Sequence, residues 1–180
     1  MKFCWHRFNL YLLAAVAVVG LCGCKSASSS KPEPKKLLAT LRLHLEASWD
    51  SSKESEPVPI LRDKPVMVKV EKPPFLTEGS VSSAKVVDTI GGFALRIQFD
   101  QAGTTTLDQY TTQNRGKRVA IFSQFGKKIK DYRWLGAPVM NRRISDGVLT
   151  FTPDATREES EEIATGLNNV SEKVHTWVEK

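Results

Sequence analysis

The sequence predicts an α+β fold: a small antiparallel or mixed sheet with two covering helices, preceded by a signal segment and a disordered tether. Three observations carry that prediction. Phe93, Leu95, Ile97 and Phe99 alternate with other residues just after the pair Gly91-Gly92, and an apolar run at Val86-Val87 lies before it. Two β-rich runs joined by glycines read as a hairpin, because glycine tolerates the positive φ that tight hairpin turns need. Near the C-terminus, Ile163, Leu167, Val170, Val174 and Val178 recur at intervals of four, three, four and four, which is one apolar stripe on a helix. Finally, Lys25 to Lys36 contain Ser, Pro, Lys, one Ala and one Glu but no large apolar residue, too little buried surface to support folding.

The elements follow in order. Residues Met1 to Arg7 carry Lys2, His6 and Arg7 and no acid, and Leu10 to Gly20 are apolar. That run is short against the roughly 20 residues of a membrane-spanning helix; a positive start, a short apolar core and small residues are the layout of a secretory signal. It ends in Leu21-Cys22-Gly23-Cys24, which resembles a bacterial lipoprotein signal. The resemblance implies cleavage between Gly23 and Cys24, with diacylglycerol on the Cys24 thiol as a membrane anchor. A Cys22–Cys24 disulfide would close a strained ring, and a metal site lacks ligands, since His44 and His175 lie in distant segments. Of three cysteines the mature chain would keep Cys24 alone, and its formal charge would fall from +6 to +4 as Lys2 and Arg7 leave. Nucleic acid is not expected as a partner, from compartment and from so modest a charge.

The expected organisation is a signal over 1–23, a tether over 24–36, a β-rich segment over 37–75 and an α+β domain over 76–180. Leu37, Leu41 and Leu45 recur every four residues, as in a helix, but alternation in TLRLHLE favours a strand with Leu41, Leu43 and Leu45 on one face, and Thr40, Arg42 and His44 on the other, where His44 is expected to be exposed. SWDSSKESEP reads as a polar loop. VPILRD and PVMVKVE read as short edge or irregular strands, broken by Pro57, Pro59, Pro65, Pro73 and Pro74. After the glycine hairpin, Asp100 to Gly103 reads as a turn and TTTLDQYTTQNRG as a helix with Leu107 and Tyr110 on one face and Gly116 past its end. A strand at Arg118 to Phe122, an irregular basic loop and a strand at Gly147 to Phe151 come next. In the last helix Thr156 and Glu159 have capping-box spacing, and the acids of its first turns read as a solvated face near the positive end of the helix dipole.

Catalytic patterns are missing. The sequence has no G-x-S-x-G, no H-E-x-x-H and no free cysteine after lipidation. Asp100, Asp108, Asp131, Asp146 and Asp154 fall mostly where Asp is ordinarily structural. Neither enzymatic activity nor a metal or cofactor is expected.

The order of motifs carries a family resemblance. Phe99, Gly103, Leu107 and Thr111 precede Asn114-Arg115-Gly116-Lys117-Arg118-Val119-Ala120-Ile121. Ala137-Pro138-Val139, Ile144, Gly147, Phe151-Thr152-Pro153 and Glu158-Glu159 follow. Roughly from Val81 to Asn168, this resembles the head subdomain of the first periplasmic domain of SecD, the protein-export membrane subunit that acts on preproteins emerging from the Sec channel. In that family T-x-x-N-x-G-K-x-x-A-I, a hairpin, S/A-P-x-I and a glycine turn lead to a strand ending F-T-x-E-E-A. The resemblance makes Asn114, Gly116, Lys117, Ala137, Pro138 and Gly147 structural positions; Gly116-Lys117-Arg118 follows a helix instead of preceding one, so it reads as a cap entering a strand, not a phosphate loop. It implies a periplasm-facing module that contacts protein or polypeptide, anchored to an inner or outer membrane that the sequence leaves open. The chain has no counterpart of SecD's transmembrane helices, so coupling to an ion gradient is not expected.

Two binding features are expected. One is an accessible sheet edge, which can add a strand of polypeptide. The other is the stretch between Ile121 and Ala137, longer than its family counterpart and bearing Lys127, Lys128, Lys130, Tyr132, Arg133 and Trp134. It reads either as a contact for an acidic partner or lipid headgroups, or as a solvated hairpin with Trp134 packed on the sheet. A structural or assembly lipoprotein of the envelope is the alternative to a polypeptide-binding role.

Overall fold

The computed structural model describes residues 37–48, 54–126 and 131–178, the side chains of residue 131 and of 174–178 excepted. The expected signal and tether, with Cys24, and Lys127, Lys128 and Lys130 lie outside the described residues, as do the side chains of Val174, His175, Trp177 and Val178. The elements run β1 (Thr40–Leu45), β2 (Ser55–Ile60), β3 (Val66–Glu71), β4 (Leu76–Thr77), β5 (Val81–Thr89), β6 (Gly92–Phe99), α1 (Gln101–Gln113), β7 (Val119–Phe125), β8 (Asp131–Gly136), β9 (Val148–Phe151) and α2 (Arg157–Val178). The fold is α+β, and the described strands form three sheets, ordered β4-β1-β7-β8, β2-β3 and β5-β6-β9, with every described pair antiparallel.

Strand alternation builds the main core. Leu41, Leu43 and Leu45 of β1 face the same side as Val119, Ile121 and Phe125 of β7, and all are buried with Leu95 and Ile97 of β6. Leu107 of α1, and Ile163 and Leu167 of α2, close this core. Ile90 and Gly91 make the two-residue turn between β5 and β6, with Gly91 at φ 88. The capping box at the head of α2 is reciprocal: Glu159 N donates to Thr156 Oγ1 (3.2 Å) and Thr156 N donates to Glu159 Oε2 (2.8 Å).

A second, smaller core lies on the other face of β7, where Val58, Ile60, Val68 and Val70 of the β2–β3 hairpin cover Ala120 and the half-buried Trp134. Its two prolines fit for a geometric reason. Lys72 N donates to Glu54 O, which sets the ladder phase so that Pro57 and Pro59 fall at pairs that exchange no hydrogen bonds with β3. Their missing N–H groups face outward, where proline is tolerated on an edge strand.

Four local expectations differ from the structure. His44 is buried, at 8% exposure, because the β2–β3 hairpin covers that face of β1; its Nδ1 lies 3.0 Å from Glu71 O, and its ring meets Trp134 edge-on at 5.3 Å. Asp100 to Gly103 is the start of α1: Asp100 is its N-cap and accepts from Gly103 N at 2.7 Å. Ser55 to Pro57 belong to β2, so the polar loop ends earlier. The basic loop contains β8, because Tyr132 and Trp134 alternate with Arg133 and Leu135 against β7.

Candidate binding surfaces

The residues of β7 and β8 that point away from the main core form an aromatic floor. Phe122 pairs with Trp134 across the strands, with ring centroids 5.2 Å apart, and Tyr132 adds a third ring 6.5 Å from Phe122. The tip of the β2–β3 hairpin supplies a wall of Pro59, Leu61 and Pro65, enclosing a groove of about 600 Å³. Tyr132 is 72% exposed and Leu61 48%. Leu61 also has φ 71, the one positive φ among the described non-glycine residues. An apolar γ-branched residue held there costs about 1–2 kcal/mol, and such strain concentrates at functional sites.

The cations at the groove are engaged already. Arg62 meets Asp154 through its backbone N–H (2.8 Å) and Nε (3.3 Å). Arg133 points to the opposite face of β8 from Tyr132 and Trp134, where it bonds both carboxylate oxygens of Glu159 at 2.8 and 3.0 Å and lies over the Phe125 ring. The Arg133 guanidinium holds the Glu159 carboxyl below the usual glutamate range, burial opposing it. Glu159 therefore ties α2 to β8 as well as capping the helix, so it is not merely part of a solvated face. Of the six side chains singled out between residues 127 and 134, the structure brings Tyr132 and Trp134 together on the floor and leaves Arg133 at the rim, its guanidinium tied to Glu159. It adds Phe122, Leu61 and the two prolines, which sequence reasoning missed. The groove is apolar and aromatic, with its charges paired at the rim.

The family-motif residues shape the domain. Asn114 ends α1, donating from its side chain to Tyr110 O at 3.1 Å, and Gly116 follows at φ 83. Lys117 O and Pro138 O accept from Met140 N and Val119 N, tying 137–140 to the start of β7; Ala137 packs on the smaller core. Gly147 has φ 67, and a Cβ there would overlap Thr104 Oγ1. Several sheet edges are closed. Asn168 of α2 bonds both backbone groups of Ala84, and Ser171 bonds Ser82 O, along β5. Asp154 N donates to Leu135 O beside β8, and prolines face out of β2. Among the described residues no group of three or more His, Cys, Asp and Glu could hold a metal ion, and no helix is long and apolar enough to cross a membrane.

The family model of the SecDF P1 head subdomain matches residues 54–171. The chain belongs to that family. The Thermus thermophilus protein translocase subunit SecDF is 32% identical over 100 residues, which are 55% of this chain and 13% of that protein. A solved structure of SecDF, described as a membrane component that enhances protein export, overlays with a TM-score of 0.52 at 22% identity, covering 74% of this chain and 63% of the other. A SecDF structure in its super-membrane-facing form gives 0.51 at 23% identity, over 72% and 18%. These two likenesses concern the fold. The SecDF head match runs through β2 and β3, so the hairpin that walls the aromatic groove falls within the family region.

Proposed function

We propose that this chain is a membrane-tethered, periplasm-facing module that holds extended polypeptide, in the manner of an export-associated head, and that it works by binding without catalysis. The observation that carries the reading is the aromatic groove, an open apolar surface of Phe122, Tyr132, Trp134, Pro59 and the strained Leu61 on a SecDF head. Aromatic floors give large contact area without demanding one sequence. Membership of the SecDF head family, and the description of SecDF as a membrane component that enhances protein export, support the same direction.

Leu61→Gly separates binding from folding. Glycine accepts φ 71 freely, so thermal stability is expected to hold or rise. The lost Leu surface is expected to weaken affinity for an unfolded, reduced polypeptide about tenfold, equal to roughly 1.4 kcal/mol. Anisotropy titration of the full-length protein with a labelled unfolded client reads the effect; unchanged affinity would place client contacts elsewhere.

The anchor is proposed from Leu21-Cys22-Gly23-Cys24. Cys24→Ser is expected to abolish lipid attachment and move the protein out of the detergent phase on partitioning, whereas Cys22→Ser leaves it there. Equal partitioning of Cys24→Ser and the parent would remove the anchor from the account.

A further inference from the structure

Among the described residues, β9 has no strand on its outer side. Phe99 N donates to Gly147 O at 2.9 Å, which puts Leu149 and Phe151 in phase with the ladder to β6. By alternation the backbone N–H and C=O of Thr150 then point outward, away from β6. Asp146 Oδ1 takes the Val148 N–H at 3.1 Å, while Thr150 is exposed.

A second backbone edge stands opposite. Val119 N donates to Pro138 O and Met140 N to Lys117 O, forming the bridge between Arg118 and Val139. In that arrangement the N–H and C=O of Val139 point away from β7; the C=O accepts from Asn141 N at 3.0 Å, which leaves the N–H as the group free to pair toward β9. The two edges meet where Asp154 N donates to Leu135 O. Continued in antiparallel phase they would set Thr150 against Val139; instead they splay apart. The gap is one cleft made of adjoining cavities of about 410 and 450 Å³ that share Pro138 and Val139. Met140, Ile144 and Leu149 give it apolar lining.

The cleft is also basic. Arg96 and Arg142 line one half and Arg118 the other, and no carboxylate among the described residues pairs with these guanidiniums. Its single acid is Asp146. Here the contrast with the aromatic groove, where both arginines are paired, is informative. Guanidiniums without a carboxylate partner, beside the open Thr150 backbone groups and the Val139 N–H, match a chain that brings carboxylates and its own backbone donors and acceptors.

We propose that this cleft accepts one extended, acidic polypeptide segment as an added strand between β9 and residues 137–141, joining the three-stranded sheet to the four-stranded one. The inference rests on the polypeptide-binding reading and deepens it. The cleft holds client backbone and carboxylates, and the aromatic groove holds apolar side chains.

Thr150→Pro tests it directly, since proline removes the outward N–H and leaves the ladder to β6 intact. The probe is a labelled peptide of about ten residues alternating Glu and Val, long enough for an ordinary strand, titrated against the full-length protein. Affinity is expected to fall about tenfold in Thr150→Pro and to persist in Thr150→Val and Leu61→Gly. Replacing Arg96, Arg118 and Arg142 by Gln is expected to weaken binding at low salt, with the difference shrinking as salt rises. A peptide N-methylated at alternate amides, tried in both registers, is expected to lose binding to the parent in at least one of them; this arm decides the matter if Thr150→Pro unfolds. Parent-like affinity of Thr150→Pro and of both N-methylated peptides overturns the cleft. If the unfolded client still binds through Leu61 in that case, the polypeptide-binding reading stands without it. Failure of the parent to bind either probe overturns both.

Discussion

Leu167→Asp is expected to unfold the domain. Leu167 is completely buried on the α2 stripe, in the core it shares with β1, β6 and β7. An aspartate there has no cation to meet and would lose water without compensation. The cost falls among the largest for a single substitution, above about 4–5 kcal/mol, comparable to the whole stability of a marginal domain. Leu167→Ala, which removes volume but adds no charge, should lose about 2–5 kcal/mol and remain folded. Circular dichroism against temperature distinguishes the two. A parent-like melting curve for Leu167→Asp would mean that α2 packs through another face.

Gly166→Val is expected to be nearly as damaging, for a steric reason. A Cβ at position 166 would lie 2.7 Å from Ala39 N and 2.8 Å from both Ala39 Cβ and Leu38 C. Those are largely backbone atoms at the entry to β1, held by the ladder to β7 and by Asn169 Nδ2 donating to Leu37 O at 2.9 Å. They cannot move aside as the end of a side chain could. Helix propensity alone would make Gly166→Ala stabilising by about 0.8–1 kcal/mol. The close approach reverses the sign: Gly166→Ala should lose about 1–3 kcal/mol, and Gly166→Val more, through its bulk and branching at Cβ. Urea denaturation reads both. A Gly166→Ala protein more stable than the parent would show that β1 can yield.

Gly166 illustrates where the sequence was silent. A glycine inside a helical pattern looks like a local weakness, and its reason, the crossing of β1, lies over a hundred residues away. The Ile163 and Leu167 part of the apolar stripe and the capping box of α2 were legible because these signals sit within one element. The β5–β6 hairpin was legible for the same reason. His44 was not: whether the second face of β1 meets water depends on the β2–β3 hairpin folding over it. The candidate groove was half legible. Tyr132 and Trp134 were in view as a basic, aromatic loop, but strand pairing had to separate Arg133 from them. The wall at Leu61 comes from a turn with no glycine to announce its positive φ.

The measurement that bears most directly on the polypeptide-holding role is photo-crosslinking from Tyr132 in intact cells. A crosslinker at this exposed edge of the groove is predicted to capture many different preproteins during export, and fewer when Leu61→Gly is introduced. Capture of a single stable envelope protein, unaffected by blocking export, would contradict the account and favour an assembly role for the protein.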